Sequence, residues 1–442
     1  MIGSGGRVAV IDPRRDVAEY VDVARAQDLK ITHIFETHRN EDYVIGSREL
    51  ADLTGAEIYH GAELPFEYGN DVREGDAFEL GHVKLSILHT PGHTDESISI
   101  VAADTSFSED AVGVFTGDVL FVGDVGRTDF FPDRAEEVAG LLYDSIFDKL
   151  LPLGDHVLLW PAHGAGSVCG SHMAQREEST LGYERENNRI LQMTDRDEFI
   201  EYKVNEHHYM PPYFSMMEKY NLEGPPPLNS VREPGPMGAD EFDEAISDGM
   251  FVLDIRSPEA FGGAHIHNSI SIPIGMLPAY GGYLLPYDRP IGLVVESVDQ
   301  AERAITDLHR IGYDDISGYL KEGMQRWEIE GRNFEGTPQV YIGEISRRLT
   351  EGEEFTLLDV RSKREWEAGH LMGATHLYAG HLEDNLDEIP DERPITTFCG
   401  SGHRAIIAAS ILQKHGFEQV ENCLGSMRAC YATSCPMVVK GE

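Results

Sequence analysis

Two groups of residues in this chain have types and spacings suited to chemistry. The first is spread over four short motifs: Thr37-His38-Arg39-Asn40-Glu41-Asp42-Tyr43, Thr90-Pro91-Gly92-His93-Thr94, Thr116-Gly117-Asp118 and Pro161-Ala162-His163-Gly164. Imidazoles and carboxylates are metal ligands. A lone His is usually an ordinary surface or core residue, but four such motifs at predicted strand ends are hard to obtain by accident. A metal site is therefore expected. The second group is Phe398-Cys399-Gly400-Ser401-Gly402-His403-Arg404. Here an apolar run, Ile395 to Phe398, ends at a Cys, a Gly-rich loop follows, and helical sequence begins near Arg404. Backbone N–H groups of such a loop, with the helix N-terminus, form an anion cradle. With Arg404 they would lower a thiol pKa and hold a sulfur anion. The plainer alternative is a buried structural Cys at a strand end.

The elements that must position these residues alternate between the two periodicities. Arg7–Ile11 and Ile31–Phe35 read as strands with a helix, Asp16–Gln27, between them. Residues 3–6 read as a hairpin turn rather than a phosphate loop. Downstream come a helix (Arg48–Thr54) and strands Glu57–His60, Phe78–Leu80, Val83–His89 and Val112–Thr116. A helix at Glu136–Lys149 and a strand at Val157–Trp160 complete the series. This alternation suits an αββα sandwich with the site at one rim. Tyr202 to Asp240 is rich in Pro and reads as a linker, with His207 and His208 as surface residues. Beyond it lies an internal repeat with a spacing near 103–105 residues. Leu253-Asp254-Ile255-Arg256-Ser257 matches Leu358-Asp359-Val360-Arg361-Ser362, and Gly312-Tyr313 matches Gly416-Phe417. Each copy reads as strand, helix, strand, helix with parallel-sheet character.

On these motifs the first part of the chain resembles the metallo-β-lactamase superfamily. Its T-H-x-H-x-D-H signature keeps the first His (His38) and the Asp (Asp42), while Asn40 and Tyr43 replace the other two imidazoles. Two-zinc hydrolases of that superfamily hold a bridging hydroxide between the metals, and an amide and a phenol are poor substitutes. The resemblance therefore implies His38, His93 and Asp118 as ligands. Two imidazoles and a carboxylate suit mononuclear non-haem Fe(II), with zinc the alternative, since affinity alone favours zinc. The tract Thr116 to Phe130 is similar to that of the persulfide dioxygenases, the one-iron branch. That similarity implies Arg127 as an anchor for an anionic persulfide. Tyr43 would donate a hydrogen bond toward substrate or dioxygen. Asp42 and His163, left from the second metal site, either orient a ligand or water or are structural. Cys169, six residues after His163, is either a sulfur relay or a small helix-entry residue.

Both repeats resemble rhodanese domains. The second would use Cys399 and Arg404 as catalytic residues, with Gly400, Ser401, Gly402 and His403 as its binding loop. In the first copy Val295 stands at the Cys position and Gln300 at that of Arg404. Glu296-Ser297-Val298-Asp299 gives its loop the wrong sign for thiolate or sulfite, so this copy is expected to be an inactive spacer. The expected organisation is a metallo-β-lactamase-like domain over 1–204, a linker over 205–238, an inactive rhodanese-like domain over 239–332 and a rhodanese domain over 339–442. The fold class is α/β multidomain, the two later domains having parallel sheets. The resemblance implies dioxygenation of a low-molecular-weight thiol persulfide to sulfite, coupled to sulfur transfer that forms or uses thiosulfate, in sulfide detoxification. Two alternatives stay open: a zinc-dependent, glyoxalase II-like thioester hydrolase carrying a sulfurtransferase, and a sulfur carrier with a structural metal.

Composition narrows the setting. Acidic residues number 77 against 36 basic ones, of which nine are Lys, for a net charge of −41. That field repels nucleic acid and anionic membrane surfaces. No run of eighteen apolar residues suggests a membrane span, and the N-terminus lacks the parts of a signal peptide, so a cytoplasmic location is expected. Five Cys, an odd and sparse set without C-x-x-C spacing, fit a reducing compartment with one or two working thiols. A homo-oligomer is expected. An acidic, Lys-poor surface suits a salt-rich cytoplasm, so the unfolding midpoint should rise between low and molar salt. Equal midpoints in a salt series of thermal melts would contradict this.

Overall fold

In the computed structural model, residues 1–164, 173–390, 393–433 and 435–438 are described; Cys169 lies outside the described residues. The chain divides into two units, Met1–Ser230 with Arg310–Gly312, and the remainder from Val231 onward.

Short apolar runs in the first unit pair into two sheets. One has the order Ile2–Ser4, Arg7–Ile11, Lys30–Phe35, Glu57–Gly61, Asn70–Val72. The other runs Ser179–Thr180, Leu158–Pro161, Ala111–Gly117, Ile98–Asp104, Val83–His89, Ala77–Leu80. Alternate side chains point inward, so Ala9, Phe35, Leu85, Ile87 and Ile100 form a dry core between the sheets. Helices Ala18–Ala26 and Ser47–Thr54 cover the outer face of the first sheet through Val10, Ile34 and Leu50. Helices Ala135–Asp144 and Arg196–Val204 cover the second through Val114, Leu142, Leu159 and Phe199. The result is the expected αββα sandwich. Lys30–Phe35 runs parallel to both neighbours, as does Ala111–Gly117 to Leu158–Pro161. Their C-terminal ends deliver the His38 loop, Asp118 and His163.

Two details differ from the sequence reading. The helix expected over Glu136–Lys149 is α-helical only to Asp144 and continues as a π-helical turn, Ser145–Leu150. There the Ser145 hydroxyl donates to the Pro91 carbonyl at 2.7 Å, tying the widened turn to the loop that carries His93. Residues 205–238 are not a plain linker, because Phe214–Glu223 is a helix with Phe214, Met217 and Asn221 buried. Its flanking prolines, at 211, 212 and 225–227, bound a helix rather than extend a spacer.

The second unit holds two five-stranded parallel sheets of identical order. The first is Gly235–Met237, Ile316–Leu320, Ile291–Val294, Phe251–Asp254, Ile270–Ser271. The second is Gln339–Tyr341, Val420–Leu424, Ile395–Phe398, Thr356–Asp359, Thr375–His376. Parallel strands need crossover helices on their faces, which accounts for the continuous apolar strand sequences. The repeat extends to buried polar chemistry. Arg256 Nη2 donates to Asp254 at 2.6 Å and to the Ala264 carbonyl at 2.7 Å. Arg361 repeats this on Asp359 at 2.6 Å and the Gly369 carbonyl at 2.8 Å. Against the reduced state expected of the five Cys, Cys430 and Cys435 form a disulfide, while Cys399 and Cys423 are free. Among the described residues no helix is long and apolar enough to cross a membrane.

Asp359 is fully buried, and removing it would strand the Arg361 charge in the interior. Asp359→Ala should cost the last domain about 3–5 kcal/mol, read as a lower denaturant midpoint in equilibrium unfolding.

Candidate metal centre and thiol loop

The loop after Lys30–Phe35 is anchored from two sides. At its start, Thr37 donates to Asp12 through both its backbone N–H (2.7 Å) and its hydroxyl (2.8 Å). With that hydroxyl hydrogen committed, the Thr37 oxygen accepts from His38 Nδ1 at 2.9 Å. Further along, the Asn221 side chain donates to the Asn40 and Tyr43 carbonyls at 2.6 and 2.8 Å and accepts from the Ile45 N–H at 2.9 Å. Tyr213 donates to the Asp42 carbonyl at 3.0 Å. These contacts give the loop's backbone groups partners from three separate parts of the chain.

His38, His93 and Asp118 come together as a buried set whose ligand atoms lie within 4.8 Å of one another. Asp118 Oδ2 is 3.8 Å from His38 Nε2 and 3.5 Å from His93 Nε2. His93 Nδ1 donates to the Arg127 carbonyl at 3.0 Å. Both imidazoles thus use Nδ1 on a protein acceptor and present bare Nε2 lone pairs inward, the arrangement that orients metal-bound histidines. Neither Nε2 nor either Asp118 oxygen has a hydrogen-bond partner. Burial pulls the His38 pKa down to about 3, keeping it in the neutral form that ligates metal. Burial alone would raise the Asp118 pKa, but the His163 imidazolium beside it holds it well below the usual carboxylate range. Converging, unpartnered and buried donors of this kind fit a cation.

The other expected residues fall around this set. His163 Nε2 stands 3.3 Å from Asp118 Oδ1 and 3.4 Å from Asp42 Oδ1. Burial would lower the His163 pKa, yet Asp118 and Asp42 raise it to about 10. Tyr43 donates to the Asp12 carbonyl at 3.3 Å, and Asn40 Nδ2 to the His38 carbonyl at 3.2 Å. Neither replaces the missing imidazole directly. The Arg127 guanidinium is buried, bonded to Asp129 at 2.7 Å and packed over the Phe130 ring. It therefore acts on the site through its own carbonyl and His93. Asp12, Glu41 and Asn221 belong to the site but were not singled out from sequence. The position of Glu41 inside the His38 motif was the available signal.

Two glycines are required by close approach. Gly117 has φ +53°, and a Cβ there would lie 2.5 Å from Thr37 Oγ1. Gly92 has φ +135°, and a Cβ would lie 2.4 Å from the Leu142 backbone.

In the second unit, Cys399 ends strand Ile395–Phe398 and is 1% exposed. The N–H groups of Ser401 and Gly402 point at its sulfur, at 3.4 and 3.1 Å. Gly402 caps helix His403–Lys414 at φ +102°, so the cradle has the expected form. Ser401 Oγ lies 3.1 Å from His403 Nδ1. Arg404 is held by Glu365 in a two-point bond at 2.6 and 2.7 Å. Burial opposes this carboxylate's ionisation, but Arg404 holds its pKa down to about 2. In front lies a cavity of about 550 Å³ whose lining includes Gly400, Ser401, Arg404 and Arg428. Met276 and Tyr280 of the first copy also line it. The first copy is therefore more than a spacer, because it supplies a wall of this cavity. Its own loop has Val295 buried at the Cys position, and Gln300 accepts from the Glu296 N–H at 2.7 Å.

The profile of the Metallo-beta-lactamase superfamily matches residues 1–163, and that of the Rhodanese-like domain matches 238–330 and 342–433. The hydroxyacylglutathione hydrolase GloC of Haemophilus influenzae is 30% identical over 37% of this chain and 82% of its own length. The mitochondrial persulfide dioxygenase ETHE1 of Mus musculus is 30% identical over 39% of this chain. The chain spans 64% of that enzyme's length. A crystal structure of a metallo-beta-lactamase from Staphylococcus aureus is 33% identical, with a TM-score of 0.65, covering 72% of this chain and 93% of that one.

Gly92→Ala should drive the His93 loop off the Leu142 turn and lower metal affinity by about 10–100-fold, the range typical of lost ligand orientation. A chelator competition titration checks this.

Proposed function

Because the chain belongs to the metallo-beta-lactamase superfamily and carries two rhodanese-like domains, we propose that it oxidises a low-molecular-weight persulfide and transfers sulfane sulfur through Cys399. The observation that carries this reading is the ligand set. Asn40 and Tyr43 bond backbone carbonyls, while His38, His93 and Asp118 converge, as one metal rather than a hydroxide-bridged pair requires. Resemblance to a persulfide dioxygenase and a cradled thiol on the same chain point the same way. The first reaction is R-S-SH + O2 + H2O → R-SH + SO3²⁻ + 2H⁺. Fe(II), when bound, would supply open coordination positions that bring dioxygen and the persulfide together, while the four electrons that reduce O2 come from the outer sulfur as it becomes sulfite. The Asp12–Thr37–His38 chain and the Arg127 carbonyl would hold the imidazoles in place throughout.

In the second reaction the outer sulfur of a Cys399 persulfide passes to sulfite. The Cys399 S–S bond breaks, a sulfur–sulfur bond to sulfite forms, and thiosulfate leaves with Cys399 as thiolate. The Ser401 and Gly402 N–H groups would stabilise the anionic sulfur, and Arg404 would attract sulfite in a chain whose overall field repels it. Joining both activities in one chain raises the effective concentration of the shared intermediate. A zinc-dependent thioester hydrolase is the second reading, favoured by the His163–Asp42–Asp118 cluster and by similarity to GloC.

Iron-loaded protein given a synthetic persulfide should consume O2. His93→Ala should abolish uptake. Cys399→Ser should retain it while the product moves from thiosulfate to sulfite. No uptake with iron, alongside thioester hydrolysis with zinc, would establish the hydrolase instead.

A further inference from the structure

We infer that Glu41 is a fourth protein ligand of the metal, taking the place the loop lost when Asn40 replaced an imidazole. This rests on the reading of His38, His93 and Asp118 as a metal centre. The Glu41 side chain is fully buried, and neither carboxylate oxygen has a hydrogen-bond donor. Its Oε2 lies 3.4 Å from His93 Nε2 and 4.0 Å from His38 Nε2. Both nitrogens are bare, their Nδ1 partners being the Arg127 carbonyl and Thr37. Two imidazole nitrogens and a carboxylate oxygen therefore converge across 3.4–4.0 Å with no well-formed hydrogen bond among them. A cation held by His38 and His93 on this side would satisfy these buried atoms together. Arg39 does not do this: it stands 4.0 Å from Glu41 Oε1 and reaches Glu218 at 3.0 Å.

The loop explains how the exchange works. Asn40 is turned to the His38 carbonyl, and its own carbonyl is fixed by Asn221. The next residue, Glu41, then presents its carboxylate inward on the side of His38 and His93. The donor set becomes two imidazoles and two carboxylates, which balances the charge of a divalent ion. An added hard anionic donor also favours iron in its higher oxidation state, so the ligand bears on redox chemistry as well as on affinity.

The test uses the full chain, stripped by chelator and titrated anaerobically with Fe(II) against a chromophoric chelator. Wild type, Glu41→Gln and His93→Ala are compared, with thermal unfolding of the metal-free and iron-loaded forms as a second readout. Glu41→Gln should weaken Fe(II) binding by about 10–100-fold, at least what an outer-sphere change costs. Metal-free Glu41→Gln should unfold no earlier than wild type, because a buried unpartnered carboxylate is gone, while the rise in unfolding temperature on adding iron shrinks. Unchanged affinity and an unchanged rise in Glu41→Gln, with iron lost in His93→Ala, overturns Glu41 as a ligand and leaves the centre standing. A metal-free variant less stable than wild type assigns Glu41 a structural role and overturns the inference too. Equally weak binding by wild type and His93→Ala overturns the centre itself, and this inference with it.

Discussion

An ionised carboxylate enters a protein interior only if positive or hydrogen-bonding groups surround it, and at Asp118 the first unit meets that condition through His163 alone. Its oxygens face His38 and His93 on one side and His163 on the other. Four strand ends must therefore arrive at one point, Val83–His89 delivering His93. The parallel pairings of Lys30–Phe35 and of Ala111–Gly117 with Leu158–Pro161 bring the other three ends to the same rim. Close packing at Gly92 and Gly117 leaves the loops no slack. The sandwich can be seen as the framework that makes this one concentration of unsatisfied charge tolerable.

The second unit builds its polar site by other means. Sulfur at Cys399 is met by two backbone N–H groups rather than by imidazoles, and Arg404 is kept in place by Glu365. Both rhodanese-like copies retain the buried aspartate–arginine hook, although one has Val295 where the other has Cys399. What holds the fold has been kept separate from what does the chemistry.

Much of this was legible in the sequence because it depends on local pattern. Strand ends, the Gly-rich Cys loop and the repeat follow from apolar periodicity and small-residue spacing, and the His/Asp motifs stand out by type. Glu41 did not, because nothing in a linear motif says that a loop turns one residue past a lost histidine to offer a carboxylate. Asn221 was hidden by its surroundings, since prolines on either side made a short helix look like a linker. The role of Tyr280 was hidden for another reason: the copy that carries it has Val295 where the other has Cys399, so nothing in its loop draws attention.

Asn221 also has a consequence for how the protein is made. It lies 181 residues downstream of its partner carbonyl at Asn40, beyond residues 1–163 that the Metallo-beta-lactamase superfamily profile matches. During translation the His38 loop leaves the ribosome long before the helix that completes it. Until residue 221 emerges, the carbonyls of Asn40 and Tyr43 and the N–H of Ile45 must be served by water. The first half of the centre is thus synthesised early but matures late, and a fragment ending at residue 163 would carry the ligands without the Asn221 anchor of the His38 loop.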